Sequence, residues 1–506
     1  LIFVTDARDL CKTPALVLNV RDAGLVERIA AASEEPAYRF AEFDFSNRPV
    51  ASSEIKTVAL HYWVYGIGGG EKVTKALLEL FVAQGYRVIL YVDSMSDRHD
   101  LGLPEGVVRK VVPSESKEAR VRFWLDEVPR EHIDLLIYGT WLSGWAPADL
   151  LSVEAAGATT VYHTHGHVGG IVGVVGQDWL FETYERCAHI ADLVVTLSAE
   201  DCAFTRGLNA NTRAVPNPVS LYLGDVAPVL RAPETKTVVF CGRLVFSEKG
   251  LDSILQAFAE AHRLDADMRL KLIGPADNDT LDQINQICGD LNISDAVECT
   301  GPLGDPLPVM RACSVLVMAS PSEGFPLVLS EAAAIGLPAV MFRLPYLTLV
   351  QDNDGVIQVP QGDIEGLGRA MYAVCNNREL QEHMRASMRA TYDRVCCVDF
   401  AHLWEDLCAQ ARQAHAHPSV KIPNDLDGTV RHAQAIIDTY HRAFKRTCDV
   451  QSELAEAWHT IERLEEELSA ARAAAEDVKR SNSWRVGRVV TAPVRAIKKL
   501  LKTSSA

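Results

Sequence analysis

The stretch SVLVMASPSEGFPLVLSEAAAIG, Ser314–Gly336, decides the fold. Ser314 to Ser320 is a short, mostly apolar and partly β-branched run ending at a turn. That composition predicts a strand buried on both faces, as in a parallel sheet. Pro321-Ser322-Glu323-Gly324 breaks the run. Pro326 fits the first position of a helix, where its missing N–H would lack a helical partner anyway. Leu327 to Ile335 is a good helix sequence, and Gly336 suits the residue that closes one. A strand therefore feeds a tight loop, and the loop feeds a helix. In parallel α/β sheets ligands gather at the carboxyl ends of the strands, and free N–H groups at a helix start suit phosphate. Glu323 lies in the loop, and Glu331 lies eight residues on, inside the helix. Carboxylates beside a phosphate site do not serve the phosphate. They are suited to accept hydrogen bonds from hydroxyls, and a nucleotide sugar carries hydroxyls on both ribose and hexose.

Working outward, the same strand–loop–helix pattern recurs. Thr237 to Cys241 reads as a strand running into Gly242-Arg243-Leu244-Val245-Phe246-Ser247-Glu248-Lys249-Gly250, with Lys249 opening a helix that extends to about His262. An Arg fork, a Lys point charge and a helix start make a diphosphate site; the plainer alternative is a solvated surface turn. Arg269 to Pro275, Ala296 to Gly301 and Ala339 to Arg343 are further strands, and Gly355 to Asp363 is a closing strand and loop. Helices then run to about Arg412. Nearer the start, Thr57 to Val64 is a strand followed by Gly66-Ile67-Gly68-Gly69-Gly70-Glu71 and a helix that Gly85 stops. Glycines there let the backbone approach a ligand closely. Strands follow at Tyr86 to Asp93, Ile133 to Tyr138, Thr159 to His165 and Asp192 to Ser198. Val161-Tyr162-His163-Thr164-His165-Gly166-His167 gathers three histidines at a strand end. Alternate histidines face one side of a strand and could hold a metal, but no nearby Cys, Asp or Glu completes such a site, so no metal is expected. Val215-Pro216-Asn217-Pro218-Val219 suits an interdomain connection, because prolines fix its path.

Glu-Gly-Phe-Pro-Leu-Val-Leu-Ser-Glu, with its flanking strand and small-residue helix, resembles the Glu-x7-Glu signature of the retaining glycosyltransferases of family four. The resemblance covers roughly 56–408 and implies an α/β protein of GT-B architecture: two Rossmann-like domains facing each other across a cleft. It implies that Arg243 and Lys249 hold the donor diphosphate and that Glu323 holds sugar hydroxyls, helped by Gly324 and the N–H groups of Phe325 and Leu327. Glu331 would accept from the ribose. Gly68 and Gly69 would give close backbone approach from the first domain, and His163 would face the donor sugar, a packed histidine being the plainer alternative, with His165 and His167 as loop or acceptor-side residues. Pro302 and Leu303 would sit where the family reads the base with its backbone, which leaves the base unspecified. Arg343-Leu344-Pro345-Tyr346 departs from the Gly-rich turn usual after that strand.

The expected domains are 1–54, an extension or the end of a preceding domain; 55–222, an acceptor domain; 223–412, a nucleotide-sugar domain; 413–429, a linker; 430–478, a helical or coiled-coil segment; and 479–506, a basic amphipathic tail. Leu454, Trp458, Ile461, Leu464, Leu468, Ala471 and Ala475 form a short apolar seam that suits a homo-oligomeric coiled coil or packing on the same chain. Lys479, Arg480, Arg485, Arg488, Arg495, Lys498, Lys499 and Lys502 interleave with Trp484 and aliphatic residues, as suits an anionic membrane surface; a basic tail without structure is the alternative. Ser483-Trp484-Arg485 and Ala492-Pro493-Val494-Arg495 also resemble tails of bacterial surface-polysaccharide proteins.

The chain has 506 residues, 48% of them hydrophobic, enough for two or three cores, and its formal net charge of −17 argues against a general nucleic-acid binder. Twelve scattered cysteines without a CxxC pair read as free thiols in a reducing cytosol. No apolar run approaches the roughly 18 residues of a membrane span, and no signal peptide is visible, although a start at Leu1 leaves room for residues upstream. The expected activity is retaining transfer of a sugar from a nucleotide diphosphate sugar to a glycan or lipid-linked acceptor in bacterial surface-polysaccharide synthesis. The expected place is the cytoplasm, peripheral to the inner membrane face. No cofactor is expected, since two cations cover the diphosphate. A sugar-nucleotide epimerase on the same fold and a non-catalytic scaffold are the competing readings.

Overall fold

The computed structural model describes residues 16–19, 24–34, 43–46, 54–66, 68–95, 101–171 and 178–421, all within one unit of the chain, 1–439. The linker expected near residue 47, up to residue 53, the helical segment at 430–478 and the basic tail at 479–506 lie outside the described residues.

The leading segment supplies β1 (Leu16–Asn19) and β2 (Phe43–Ser46), paired in parallel with Leu16 opposite Phe43. Between them, the Leu25–Ala32 helix buries Ile29, Ala30 and Ala32. It packs on the helices Lys117–Glu131 and Ala146–Ala155. Ion pairs from Arg122 to Glu27 (2.9 Å) and Lys117 to Glu34 (2.6 Å) fasten it there. This part of the leading segment thus packs on the next domain.

The first lobe is a parallel sheet of β3 (Thr57–Val64), β4 (Arg87–Ser94), β5 (Val108–Val111), β6 (Leu135–Tyr138), β7 (Thr159–His163), β8 (Leu193–Thr196) and β9 (Thr212–Ala214), in the order β5-β4-β3-β6-β7-β8-β9. The second lobe repeats the plan with β10 (Thr237–Cys241), β11 (Arg269–Ile273), β12 (Val297–Gly301), β13 (Val315–Met318), β14 (Ala339–Phe342) and β15 (Val356–Val359), in the order β12-β11-β10-β13-β14-β15. Every residue of β6, β7, β8, β13 and β14 is buried, because helices cover both faces. Strand order reverses between β3 and β6 and again between β10 and β13. Such reversals open a crevice beyond the strand ends, and the loops after β3, β10 and β13 are the three motif loops of the sequence.

Two local details differ from expectation. Pro326 is the cap of the Leu327–Ile335 helix rather than its first residue: its ψ is 111°, and its carbonyl accepts the N–H groups of Leu329 and Ser330. Lys249 ends a single helical turn, Phe246–Lys249, and the long helix opens at Leu251 after Gly250. Gly250 has φ +62°, and a Cβ there would come within 2.4 Å of the Ala319 carbonyl oxygen at the end of β13. Only glycine satisfies both constraints. The Leu251–Leu264 helix then buries Leu251, Ile254, Leu255, Phe258 and Ala261, the stripe expected of an amphipathic helix. Each large side chain in that stripe contributes about 1.5–3 kcal/mol over exposure.

The last α-helix among the described residues, Phe400–Ala416, crosses back and fills the first lobe's core with Phe400, Trp404, Leu407, Cys408 and Ala411. The boundary expected at 412 therefore falls inside a continuous helix, and 400–416 pack with the first lobe rather than the second. The helix persists past 413 because its end is anchored: His415 Nδ1 lies 2.8 Å from Asp192, and buried Lys421 donates to the Ile190 carbonyl at 2.8 Å. Every described cysteine is a free thiol. Among the described residues no helix is long and apolar enough to cross a membrane.

Candidate active site

β10 and β13 are hydrogen-bonded neighbours, so the loops leaving them emerge side by side. Lys249, on the first loop, places Nζ 2.6 Å from Oε1 of Glu323, on the second. Both side chains are mostly buried, at 25% and 14% exposure. Arg243, on the same loop as Lys249, is 65% exposed and pairs with Glu248 at 2.6 Å. Burial raises the pKa of the Glu71 carboxyl in the first lobe, and the Arg243 charge opposes that rise. Glu331 is buried on the helix that follows. Its Oε1 receives Lys72 Nζ at 2.8 Å and the Tyr222 hydroxyl at 3.3 Å. Burial, reinforced by the Glu331 carboxylate, pushes the Tyr222 hydroxyl well above the usual range, so it stays a donor. The Cys241 thiol is likewise pushed up to about 12 by burial and the same carboxylate.

Phe325 is buried in the second lobe's core, and its carbonyl accepts from Asn217 Nδ2 at 3.4 Å, which ties the Pro-Asn connection to the Glu323 turn. Leu327 is half-buried and packs against the cores of both lobes. Leu303 is exposed in the loop beyond β12, the strand at the sheet edge.

From the first lobe, Gly68 caps the Gly69–Ala83 helix in extended conformation. A Cβ on Gly69 would lie 3.3 Å from Leu327 Cδ1, so here the two lobes approach closely. A Cβ on Gly68 would meet only the movable tip of Glu71. A Cβ on Gly70 would fall 1.9 Å from the Tyr62 hydroxyl oxygen, and a packed ring cannot move aside. The strictest demand for glycine thus rests on Gly70, not on the Gly68-Gly69 pair.

His163 takes the plainer of its two readings. Side chains alternate along β7, and His163 shares the inward face with Val161, a core residue of the first lobe. It is 3% exposed, its ring edge-to-face with Trp404 at 5.7 Å and 4.5 Å from His165. Burial, and then His165, hold its pKa well below the usual histidine range. It is a neutral packing residue against the crossover helix. The wall opposite Glu323 comes instead from the loop beyond β7. A Cβ on Gly324 would come within 2.7 Å of Gly166 Cα and 2.8 Å of the His165 carbonyl oxygen. His165 packs edge-to-face on Tyr62, and burial brings its pKa down to about 4, leaving it neutral.

The structure therefore brings Lys249, Glu323, Gly324, Leu327 and Gly69 together, sets Arg243 and Glu331 beside them, and withdraws His163. Lys72, Glu71, Tyr222 and Tyr346 were not anticipated. Lys72 carried one signal: a cation in the first turn of a helix opposes the macrodipole, so it needs a partner from elsewhere. Among the described residues, one grouping has metal-compatible spacing, Glu154, Asp192 and His415. It lies at the amino-terminal end of β8, opposite the cleft, and Lys421 stands 3.6 Å from Asp192 as its cation.

Residues 235–377 match the family of glycosyl transferases group 1, and residues 67–222 match Glycosyltransferase Family 4. The chain is 30% identical over 176 residues to the exopolysaccharide phosphotransferase of Streptomyces coelicolor, covering 34% of this chain but only 18% of that one. It is 26% identical over 344 residues to the phosphatidyl-myo-inositol mannosyltransferase of Mycobacterium leprae, covering 63% and 87%. In structure it is similar to a TarM variant of S. aureus in complex with fondaparinux, α-GlcNAc-glycerol and UDP, with TM-score 0.58, 11% identity and coverage of 70% of this chain and 100% of that one. With both lobes matched in sequence and two facing parallel sheets in structure, the chain belongs to the family-four glycosyltransferases of GT-B architecture.

Proposed function

We propose that the chain is a retaining glycosyltransferase that moves a sugar from a nucleotide diphosphate sugar to a glycan or lipid-linked acceptor of a bacterial surface polysaccharide. The observation that carries this is the 2.6 Å approach of Lys249 to Glu323 at the β10/β13 reversal, with Arg243 on the same loop. In the free protein each glutamate of the motif is held by a lysine. A donor would replace those contacts: its diphosphate takes Arg243 and Lys249, its sugar hydroxyls take Glu323, and its ribose takes Glu331. Charge grows on the leaving diphosphate as the glycosidic bond breaks, and cations aimed there favour the transition state over the ground state. Arg243 and Lys249 meet that need without a metal. Retention follows from the family resemblance, with the departing phosphate serving as base for an acceptor attacking from the same face. The relatives' names, a mannosyltransferase for phosphatidyl-myo-inositol and a lipopolysaccharide 1,6-galactosyltransferase of Escherichia coli, support a surface-glycan acceptor.

Thermal unfolding in the presence of UDP-, GDP- and dTDP-sugars tests the reading, because a bound donor raises apparent stability by mass action. One nucleotide series should stabilise the protein, and NMR of the product should show the donor's anomeric configuration kept. Stabilisation by none would overturn the assignment, and an inverted anomer would remove retention. An isomerised sugar nucleotide formed without acceptor would identify an epimerase. Membrane attachment belongs to the same proposal: deleting 479–506 should release the protein from anionic vesicles, and unchanged binding would remove it.

A further inference from the structure

The turn after β14 carries Tyr346 where related turns are Gly-rich, and its ring sits between the lobes. Its hydroxyl oxygen accepts the backbone N–H of Glu323 at 3.1 Å and lies 3.4 Å from Ser322 Oγ. Its ring stacks on that of His167, from the first lobe, at 3.6 Å between centroids and 12° between planes. His167 is itself held in place: Nδ1 lies 2.8 Å from Asp201 Oδ1, and the N–H of the next residue, Val168, donates to the same oxygen at 3.0 Å. Asp201 is buried and takes the Ser198 hydroxyl on its other oxygen at 2.8 Å. Two glycines mark how close the same loops come. A Cβ on Gly170 would lie 2.5 Å from Ser322 Oγ, and one on Gly324 would strike Gly166.

We infer that Tyr346 is a positioning residue for Glu323, and that its stack on His167 is the contact through which the first lobe sets the Glu323 turn; this rests on the glycosyl-transfer reading of the cleft. The chain of contacts runs Ser198, Asp201, His167, Tyr346, Glu323, without a break and across the cleft. Its far end is buried and rigid. Its near end is the main-chain N–H of the residue whose carboxylate would hold the sugar. Rotating that peptide moves the carboxylate, whereas Arg243 leaves a different strand and Glu331 is fixed inside the buried helix that follows the turn. Tyr346 should therefore act on turnover and leave nucleotide affinity alone.

The experiment compares Tyr346→Phe, His167→Ala and His167→Phe in the full chain. Tyr346→Phe keeps the stack but removes the acceptor for the Glu323 N–H. It should lower kcat by about tenfold, the scale set by losing the acceptor of one part-buried donor, with the nucleoside diphosphate Kd unchanged by calorimetry. His167→Ala should lower kcat similarly, and His167→Phe, which restores a ring for the stack, should recover most of it. Because both positions act on one turn, the Tyr346→Phe, His167→Ala double variant should lose less than the product of the single losses. Wild-type kcat in Tyr346→Phe would overturn the inference. So would kcat, Tm and nucleotide affinity falling together, or two losses that simply multiply. Failure of the parent reading looks different: the wild type itself would bind no nucleotide sugar.

Discussion

Each lobe holds a cluster of opposed charges, and the two are built in opposite ways. At the rim of the second lobe, Glu323 has Lys249, Glu331 has Lys72, and Arg243 has Glu248, and each cation is a long, partly exposed side chain. In the first lobe Arg120 is fully enclosed. It grips Asp149 with two N–H groups at 2.6 and 2.7 Å and reaches Asp93 at 2.6 Å. Asp149 also takes Trp124 Nε1 and the Tyr138 hydroxyl, each at 2.8 Å, and Asp93 takes His61 at 3.1 Å. Burial alone would favour loss of the Arg120 proton, but Asp149 and Asp93 outweigh it and hold the pKa above its usual value. A phosphate or a hydroxyl can replace a rim lysine. Nothing replaces a partner of Arg120 without opening the lobe. What distinguishes a site from a scaffold here is whether the partners can be exchanged, not how much charge is present.

The harshest way to break this comparison is Arg120→Met. It leaves two carboxylates uncompensated, Asp149 fully buried and Asp93 mostly so, at a cost of about 3–5 kcal/mol. Urea denaturation should show that loss, with activity falling only because the fold does; unchanged stability would make the cluster dispensable. Glu323→Ala should do the reverse. Transfer should drop by about a hundredfold or more, since an interaction aimed at the transition state is gone. The stability change should stay well below that of Arg120→Met, because the long lysine left behind can turn to water, and nucleoside diphosphate affinity should hold. Equal loss of affinity and turnover would refute the sugar-holding role. Arg243→Ala sharpens the contrast further. Arg243 is largely exposed, so the melting temperature should not move. Nucleoside diphosphate affinity measured by calorimetry should fall about tenfold, the scale of a charge-assisted hydrogen bond.

The same contrast explains what the sequence disclosed. The rim is legible because its parts are local. Glu323 and Glu331 share one loop and helix, Arg243 and Lys249 share one loop, and each spacing is fixed by a strand end and a helix start. The parallel fold is legible for a related reason: buried strands such as Val315–Met318 and Ala339–Phe342 are continuous apolar runs. The Arg120 cluster has no such signature, since its members come from five separate elements. Lys72 and Glu331 are 259 residues apart in sequence, so only folding reveals their contact. His163 is harder to read for a subtler reason. Its strand end is recognisable, but the alternation that turns it inward matters only because Trp404, from the distant Phe400–Ala416 helix, fills that face. Where two partners share one local element, the pattern carries the answer; where the chain must return, it does not.

A third cluster lies between the two types, and its pH response separates them. Glu154, Asp192, His415 and Lys421 are all buried, so no ligand exchanges with them, yet protons can. Burial, and then the Asp192 carboxylate, push Glu154 up to about 7, while Lys421 and His415 hold Asp192 below the usual carboxylate range against the cost of burial. Folded Glu154 therefore binds its proton more tightly than in the unfolded chain. The stability it contributes is fully present below its ordinary pKa near 4.5 and is lost as pH rises toward about 7. The two carboxylates titrate as a unit, so the net change is on the order of 1 kcal/mol. Glu154→Gln mimics the protonated form and keeps an acceptor for the Thr160 hydroxyl, which now donates to Glu154 at 2.7 Å. It should match the wild type in urea stability at pH 5 and exceed it at pH 8, while leaving the nucleoside diphosphate Kd alone at both. Equal stability at pH 8 would show that Lys421 and His415 already neutralise the cluster completely, and it would place these four residues with Arg120 as a scaffold that pH does not reach.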